Sequence, residues 1–248
     1  MTARKKLGIV GGMGARASAL LLQKVVDYSP VVSDQEFIEI LLHNNSRIPD
    51  RTRAILKGGP SPEKELLRSI AIFNEQRVDA IVLACVTSYY YYDRLAAHTD
   101  AYLINPVTLV RDHLVRHAPG LTRIGLLAST GTIQSGLFRE AFGRYGLEII
   151  TLEEQDQEEK FMASLYMPNG LKSGTVSAAA RDRFFEAVEA LRRKRVEVIV
   201  GGCSEVAILL SQASLDVPYA DAMDLAAREA VGYCYGQTPA PAVPVANP

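Results

Sequence analysis

The chain of 248 residues is almost neutral, with 27 Lys and Arg against 28 Asp and Glu for a formal charge of -1, so there is no bulk electrostatic reason to expect nucleic acid or an anionic membrane as partner. Hydrophobic residues make up 48% of it, enough to fill the core of one large domain or two small ones. Three cysteines, an odd number with no CxxC pair, argue against a disulfide framework or a zinc ribbon.

The start, MTARKKLGIVGG, lacks an adequate apolar signal region and cleavage site and runs directly into a strand-like segment. No later run reaches the roughly 18 to 20 apolar residues that cross a bilayer, so a cytoplasmic protein is expected. Strands are predicted at Lys6 to Val10, Phe37 to Leu42, Ala80 to Ala84, Tyr102 to Ile104, Arg123 to Ala128, Glu148 to Leu152, Val198 to Gly201 and Val217 to Tyr219. Between them, stretches such as ARASALLLQKVVDYS, SPEKELLRSIAIFNEQ and VSAAARDRFFEAVEALRRKR carry apolar residues at the i, i+3, i+4 spacing of a helix that buries one face. This alternation predicts an α/β protein with parallel sheets and crossover helices. The closing GQTPAPAVPVANP is rich in Pro and Ala without period, and residues 237–248 are expected to be extended or disordered.

The chain also repeats itself. RVDAIVLACVTS at 77–88 has a near-copy in RVEVIVGGCSEV at 195–206, and LGIVGGMG at 7–14 lines up with IGLLASTG at 124–131. The two offsets are 118 and 117 residues, so two separate segments share almost one spacing, as expected for two halves of similar topology. The division predicted is a first α/β domain of residues 1–104 plus 215–236 and a second of residues 105–214. Ligands of open parallel sheets collect at the carboxyl ends of the strands. Two pseudo-symmetric halves facing each other therefore bring Cys85 and Cys203 to one shared cleft.

A thiol ordinarily loses its proton near pH 8.5 and is shifted by its surroundings, so a facing pair can combine a thiolate base with a thiol acid. Placed on opposite sides of a carbon, one removes a proton and the other returns one from the far face, inverting the centre. A lone cysteine ending an apolar strand is more often a small core residue, and Cys234 is assigned that role. The matched positions of Cys85 and Cys203 favour function, each being followed by short polar residues (Thr87 and Ser88; Ser204 and Glu205) where a helix start is expected. The GGMG turn, with Met13 and Gly14, invites a dinucleotide reading, but G-x-G-x-x-G is absent at 11–16. STGT at 129–132, including Thr132, is its counterpart in the second half and is expected to line the same cleft. The four histidines show no ligand spacing, and His43 reads as a packing residue; no metal is expected.

These residues resemble the aspartate/glutamate racemases, cofactor-independent enzymes with two catalytic cysteines on two pseudo-symmetric α/β domains. The resemblance runs to about residue 236 and rests on GIVGGMG at the start, NNSRIPDR at 44–51, CVTS at 85, STGTIQSGL at 129, DQEEKFMASLY at 156, GLKSG at 170 and GCSE at 202, all in family order. It implies that Cys85 and Cys203 are the paired acid and base and that Arg51 receives a substrate carboxylate, for which a planar guanidinium offers two parallel bonds. Lys172 is implied to do the same from the second half. Thr87, Ser88 and Ser204 would hold the α-carboxylate together with backbone N–H groups, with Asn45, Met13, Gly14, Thr132 and Glu205 completing the lining. The resemblance further implies a small amino-acid substrate, aspartate or glutamate first, no cofactor, and a homodimer.

Two departures matter. Family members commonly read Cys-Asn-Thr at the first cysteine, where this chain has Cys85-Val86-Thr87, and losing an amide at a carboxylate costs on the order of 1.5–3 kcal/mol unless backbone groups compensate. Ser204 replaces the usual Thr and keeps the hydroxyl. An unusual substrate thus stays open, as do a cysteine-dependent decarboxylase or cis-trans isomerase of carboxylic acids and a non-catalytic amino-acid binding protein.

Overall fold

The computed structural model describes residues 4–238. Its strands form two sheets of four, each wholly parallel. The first holds β1 (Leu7–Gly11), β2 (Ile40–Asn44), β3 (Ala80–Leu83) and β4 (Tyr102–Leu103) in the order β2-β1-β3-β4. The second holds β5 (Arg123–Leu127), β6 (Glu148–Ile150), β7 (Val198–Gly201) and β8 (Tyr219–Asp221) in the matching order β6-β5-β7-β8. Helices such as Ala15–Tyr28, Glu63–Glu75, Pro106–His117 and Ala178–Arg192 make the crossovers, as parallel neighbours require.

The sequence repeat has a local physical reason. Arg77 and Arg195, 118 residues apart, both take left-handed backbone angles (φ 53° and 57°), the bend that turns a helix end into the following strand. The acid two residues later does the same work in each half: Asp79 Oδ2 accepts the Lys6 N–H at 2.7 Å, and Glu197 Oε2 accepts the Arg123 N–H at 2.7 Å. Each carboxylate thereby joins the start of one central strand to the start of the next.

Side chains alternate along every central strand, and the alternation divides the interior into three. Leu7, Ile9, Val82, Ile124, Leu126, Val198 and Val200 face one continuous core shared by both sheets, joined by residues of the helices Ala15–Tyr28, Pro106–His117 and Ala222–Cys234. Val10, Ile81 and Leu83 face an outer cluster of the first half. Leu127 and Ile199 face the equivalent cluster of the second.

One predicted boundary is corrected. The predicted first domain takes in the strand near 217, yet β8 pairs with β7 in the second sheet, Tyr219 opposite Ile199. It also begins two residues later than predicted, since Pro218 has no N–H to give a ladder. Only the helix that follows, Ala222–Cys234, packs on the helix Ala15–Tyr28 of the first half. β2 likewise begins late, because Ser33 and Glu36 close a capping box around a short turn at Asp34–Glu36. Most of the predicted tail, residues 239–248, lies outside the described residues.

Candidate active site

β3 and β7 end beside each other's halves, and the first residues beyond them carry Cys85 and Cys203. The expected α-helices do not follow directly. After Cys85 the chain enters a tight 3-10 turn, Val86–Tyr91, and after Cys203 a shorter one, Val206–Ile208. The first is fixed from below by Tyr89, whose hydroxyl accepts the Leu83 N–H at 3.0 Å in a fully buried position.

A narrow cavity of about 10 Å³ lies between the halves, lined by Arg51, Thr52, Cys85, Thr87, Ser129, Tyr166, Lys172, Cys203 and Glu205. That is far below the roughly 300–1,000 Å³ of usual small-molecule sites, and several contacts between the halves hold it shut. Lys172 Nζ donates to the Met13 carbonyl at 3.1 Å, Tyr166 donates to Asp50 Oδ2 at 2.7 Å, and Arg16 donates to the Gly174 carbonyl. Gly131 sits so near Thr52 that a Cβ would stand 2.6 Å from the Thr52 hydroxyl.

On the Cys85 side the charge is positive. Asp50 caps the helix Arg51–Leu56 by accepting the Arg53 N–H at 2.8 Å, which fixes Arg51 at the first helical position. Arg51 is 7% exposed; it donates to the carbonyls of Met13 (2.7 Å) and Pro49 (2.9 Å), while its Nε–H is buried without a partner. Burial opposes its charge, but the neighbouring Cys85 sulfur and Asp50 carboxylate more than offset this and raise its affinity for the proton. Thr87 meets two hydroxyls of the other half, Ser129 and Thr132, at 2.9 Å each, and those two are 3.1 Å apart.

On the Cys203 side the nearest charge is negative. Glu205 is 1% exposed. The Cys203 thiol donates to its Oε2 at 3.0 Å, the Ser204 hydroxyl reaches the same oxygen at 3.2 Å, and Lys172 Nζ donates to Oε1 at 2.5 Å. Burial alone would neutralise Glu205, yet the Lys172 charge and these bonds hold its carboxyl below the usual range. Burial first, and the Glu205 charge second, push the Cys203 thiol well above its ordinary value. Gly14 makes the arrangement possible, since a Cβ there would stand 2.6 Å from Glu205 Oε1.

Of the residues expected at the site, Cys85, Cys203, Arg51, Thr87, Lys172 and Glu205 line the cavity. Thr132 stands behind Thr87, and Met13 contributes its carbonyl as the shared acceptor of Arg51 and Lys172. Asn45 and Ser88 are directed elsewhere: the Asn45 amide donates to Glu65 Oε2 at 2.9 Å, and the Ser88 hydroxyl turns back to the Cys85 carbonyl at 2.6 Å. Val86 points into the shared core, so the missing amide alters packing between the halves rather than the cavity wall. Thr52 and Tyr166 also line the cavity; Thr52 follows NNSRIPDR and Tyr166 ends DQEEKFMASLY, but neither residue type marks a site by itself. His43 bonds Ser69 at 3.0 Å, and among the described residues no group of three or more His, Cys, Asp or Glu is placed to hold a metal.

Two matching α/β halves closing on one cavity define a two-domain fold that known racemases share. An aspartate racemase from Picrophilus torridus superposes with a TM-score of 0.81 at 20% identity, covering 93% of this chain and 94% of the other. A glutamate racemase from Francisella tularensis, solved with D-glutamate, gives 0.64 at 16% identity, covering 94% and 82%. In sequence, the broad specificity amino-acid racemase RacX of Bacillus subtilis is 20% identical over 239 residues, 91% of this chain and 96% of that protein. Residues 10–230 match the Asp/Glu/Hydantoin racemase family. The chain belongs to that family and is thereby a racemase, a class of isomerase.

Proposed function

We propose that the protein is a cofactor-independent amino-acid racemase, with aspartate and glutamate as first candidate substrates, acting through Cys85 and Cys203. The observation that carries this reading is that both sulfurs line one narrow cavity, one beside a guanidinium and the other bonded to a carboxylate. The orphaned Nε–H of buried Arg51 supports a carboxylate ligand, because an unpaired buried donor is costly until an acceptor arrives.

With a substrate carboxylate on Arg51, the Cys85 thiolate takes the α-proton. The C–H electron pair stays on carbon and spreads into the carboxylate, where Arg51 and the Thr87 and Ser129 hydroxyls meet the growing charge. Cys203 then gives its proton to the opposite face and keeps the S–H pair as thiolate. Exclusion of water strengthens each of these interactions. In the cell the enzyme acts in the cytoplasm as a homodimer, and sedimentation velocity tests the second point by returning twice the 27.1 kDa chain mass.

The deciding experiment incubates L-aspartate and L-glutamate with the protein in D2O. Proton NMR is expected to show loss of the α-signal in step with loss of optical rotation. Release of CO2, or unchanged amino acid with binding alone, overturns the reading.

A further inference from the structure

The two cysteines are equivalent in sequence position but not in what touches them. Cys203 has an acceptor: its sulfur is 3.0 Å from Glu205 Oε2. Two anions at that distance repel strongly in a buried site, so the contact holds one proton, and the Lys172 charge on the carboxylate keeps that proton on sulfur. The acceptor is also fixed. Lys172 at 2.5 Å, itself held by the Met13 carbonyl, and the Ser204 hydroxyl at 3.2 Å occupy the rest of the carboxylate.

The other charged and titratable groups around Cys203 do not undo this. Lys172 and Tyr166 approach from the neighbouring segment of the same half, and Cys85 and Arg51 face it across the cavity. Lys172 alone would favour a thiolate, but its charge is already engaged by Glu205. Tyr166 is kept neutral by burial and by its bond to Asp50.

We propose that Glu205 is a positioning residue that stores the proton on Cys203, so that this cysteine is set in advance as the donor of the pair. Lys172 then acts mainly by keeping Glu205 ionised and in place. The inference deepens the racemase reading and rests on it for its catalytic meaning, while its physical content concerns one thiol.

That thiol can be read without any substrate. The full-length protein carrying [3-13C]cysteine gives one Cβ signal for each of Cys85, Cys203 and Cys234, assigned through single Cys→Ser variants. Across a pH titration the Cys203 signal is expected to keep its thiol position well past the ordinary thiol value of about 8.5. Glu205→Gln is expected to bring its midpoint down by about one pH unit or more, and Glu205→Asp, which keeps the charge, to move it by less.

A Cys203 midpoint at or below the ordinary value in the wild type overturns the proposal, whatever the variants do. So does a midpoint unmoved by Glu205→Gln in a folded variant. If Cys203 behaves as stated while no amino acid exchanges its α-proton, the racemase reading fails and the assignment of Glu205 stands.

Discussion

Cys85 and Cys203 sit at equivalent points of two sheets with the same strand order, yet the third residue of each motif differs: Thr87 in one half, Glu205 in the other. The consequence is electrostatic. Thr87 joins a ring of neutral hydroxyls that spans the halves, and the charge nearest Cys85 is that of Arg51. Glu205 places a carboxylate against Cys203 and draws in Lys172 to balance it. Twofold backbone symmetry thus supplies two matched positions, and side chains at which the two copies of the repeat differ make them chemically opposite.

The contrast can be broken most strongly at the sulfurs. Cys85→Ser and Cys203→Ser are each expected to lower kcat/KM about 1,000-fold or more, the scale of losing a positioned acid or base. Cys234→Ser, in a buried site away from the cavity, is expected to stay within about twofold. Equal losses at all three would make the pairing meaningless.

Removing the fork on the positive side comes next. Arg51→Lys keeps the charge but cannot reach Met13, Pro49 and a ligand together, and a fall in kcat/KM of about 100-fold, near 2.7 kcal/mol, is expected from steady-state kinetics. The mildest change tests the position matched to Glu205. Thr87→Val preserves shape and leaves Ser129 and Thr132 bonded to each other, so a loss of about fivefold, near 1 kcal/mol, is expected. A loss there as large as at Cys85 would show that the hydroxyls do more than line the wall.

Much of this was legible beforehand because it is written locally. The 117 and 118 residue offsets located β1 against β5 and β3 against β7, since apolar runs bounded by turns are short-range signals. The cysteines and Arg51 could be named because their motifs are contiguous. What failed to show was pairing at a distance. β8 could go to either sheet on its apolar character, and only its register with β7 decides. Asn45 and Ser88 are the right residue types in the right loops, but a rotamer choice sends one to Glu65 and the other to the Cys85 carbonyl. The pairing of Lys172 with Glu205 could not be read because the two are 33 residues apart, and no periodicity links them.

The apolar filling that serves both sheets at once has a bearing on how such a chain could be taken apart. Neither half possesses a complete interior of its own, so a fragment ending near residue 104 leaves bare hydrocarbon where its sister should lie. A split version of this protein calls for the two pieces to be made together and to meet before either settles. By the same token, access for a ligand falls to the polar straps around the rim, the cheapest joints to undo.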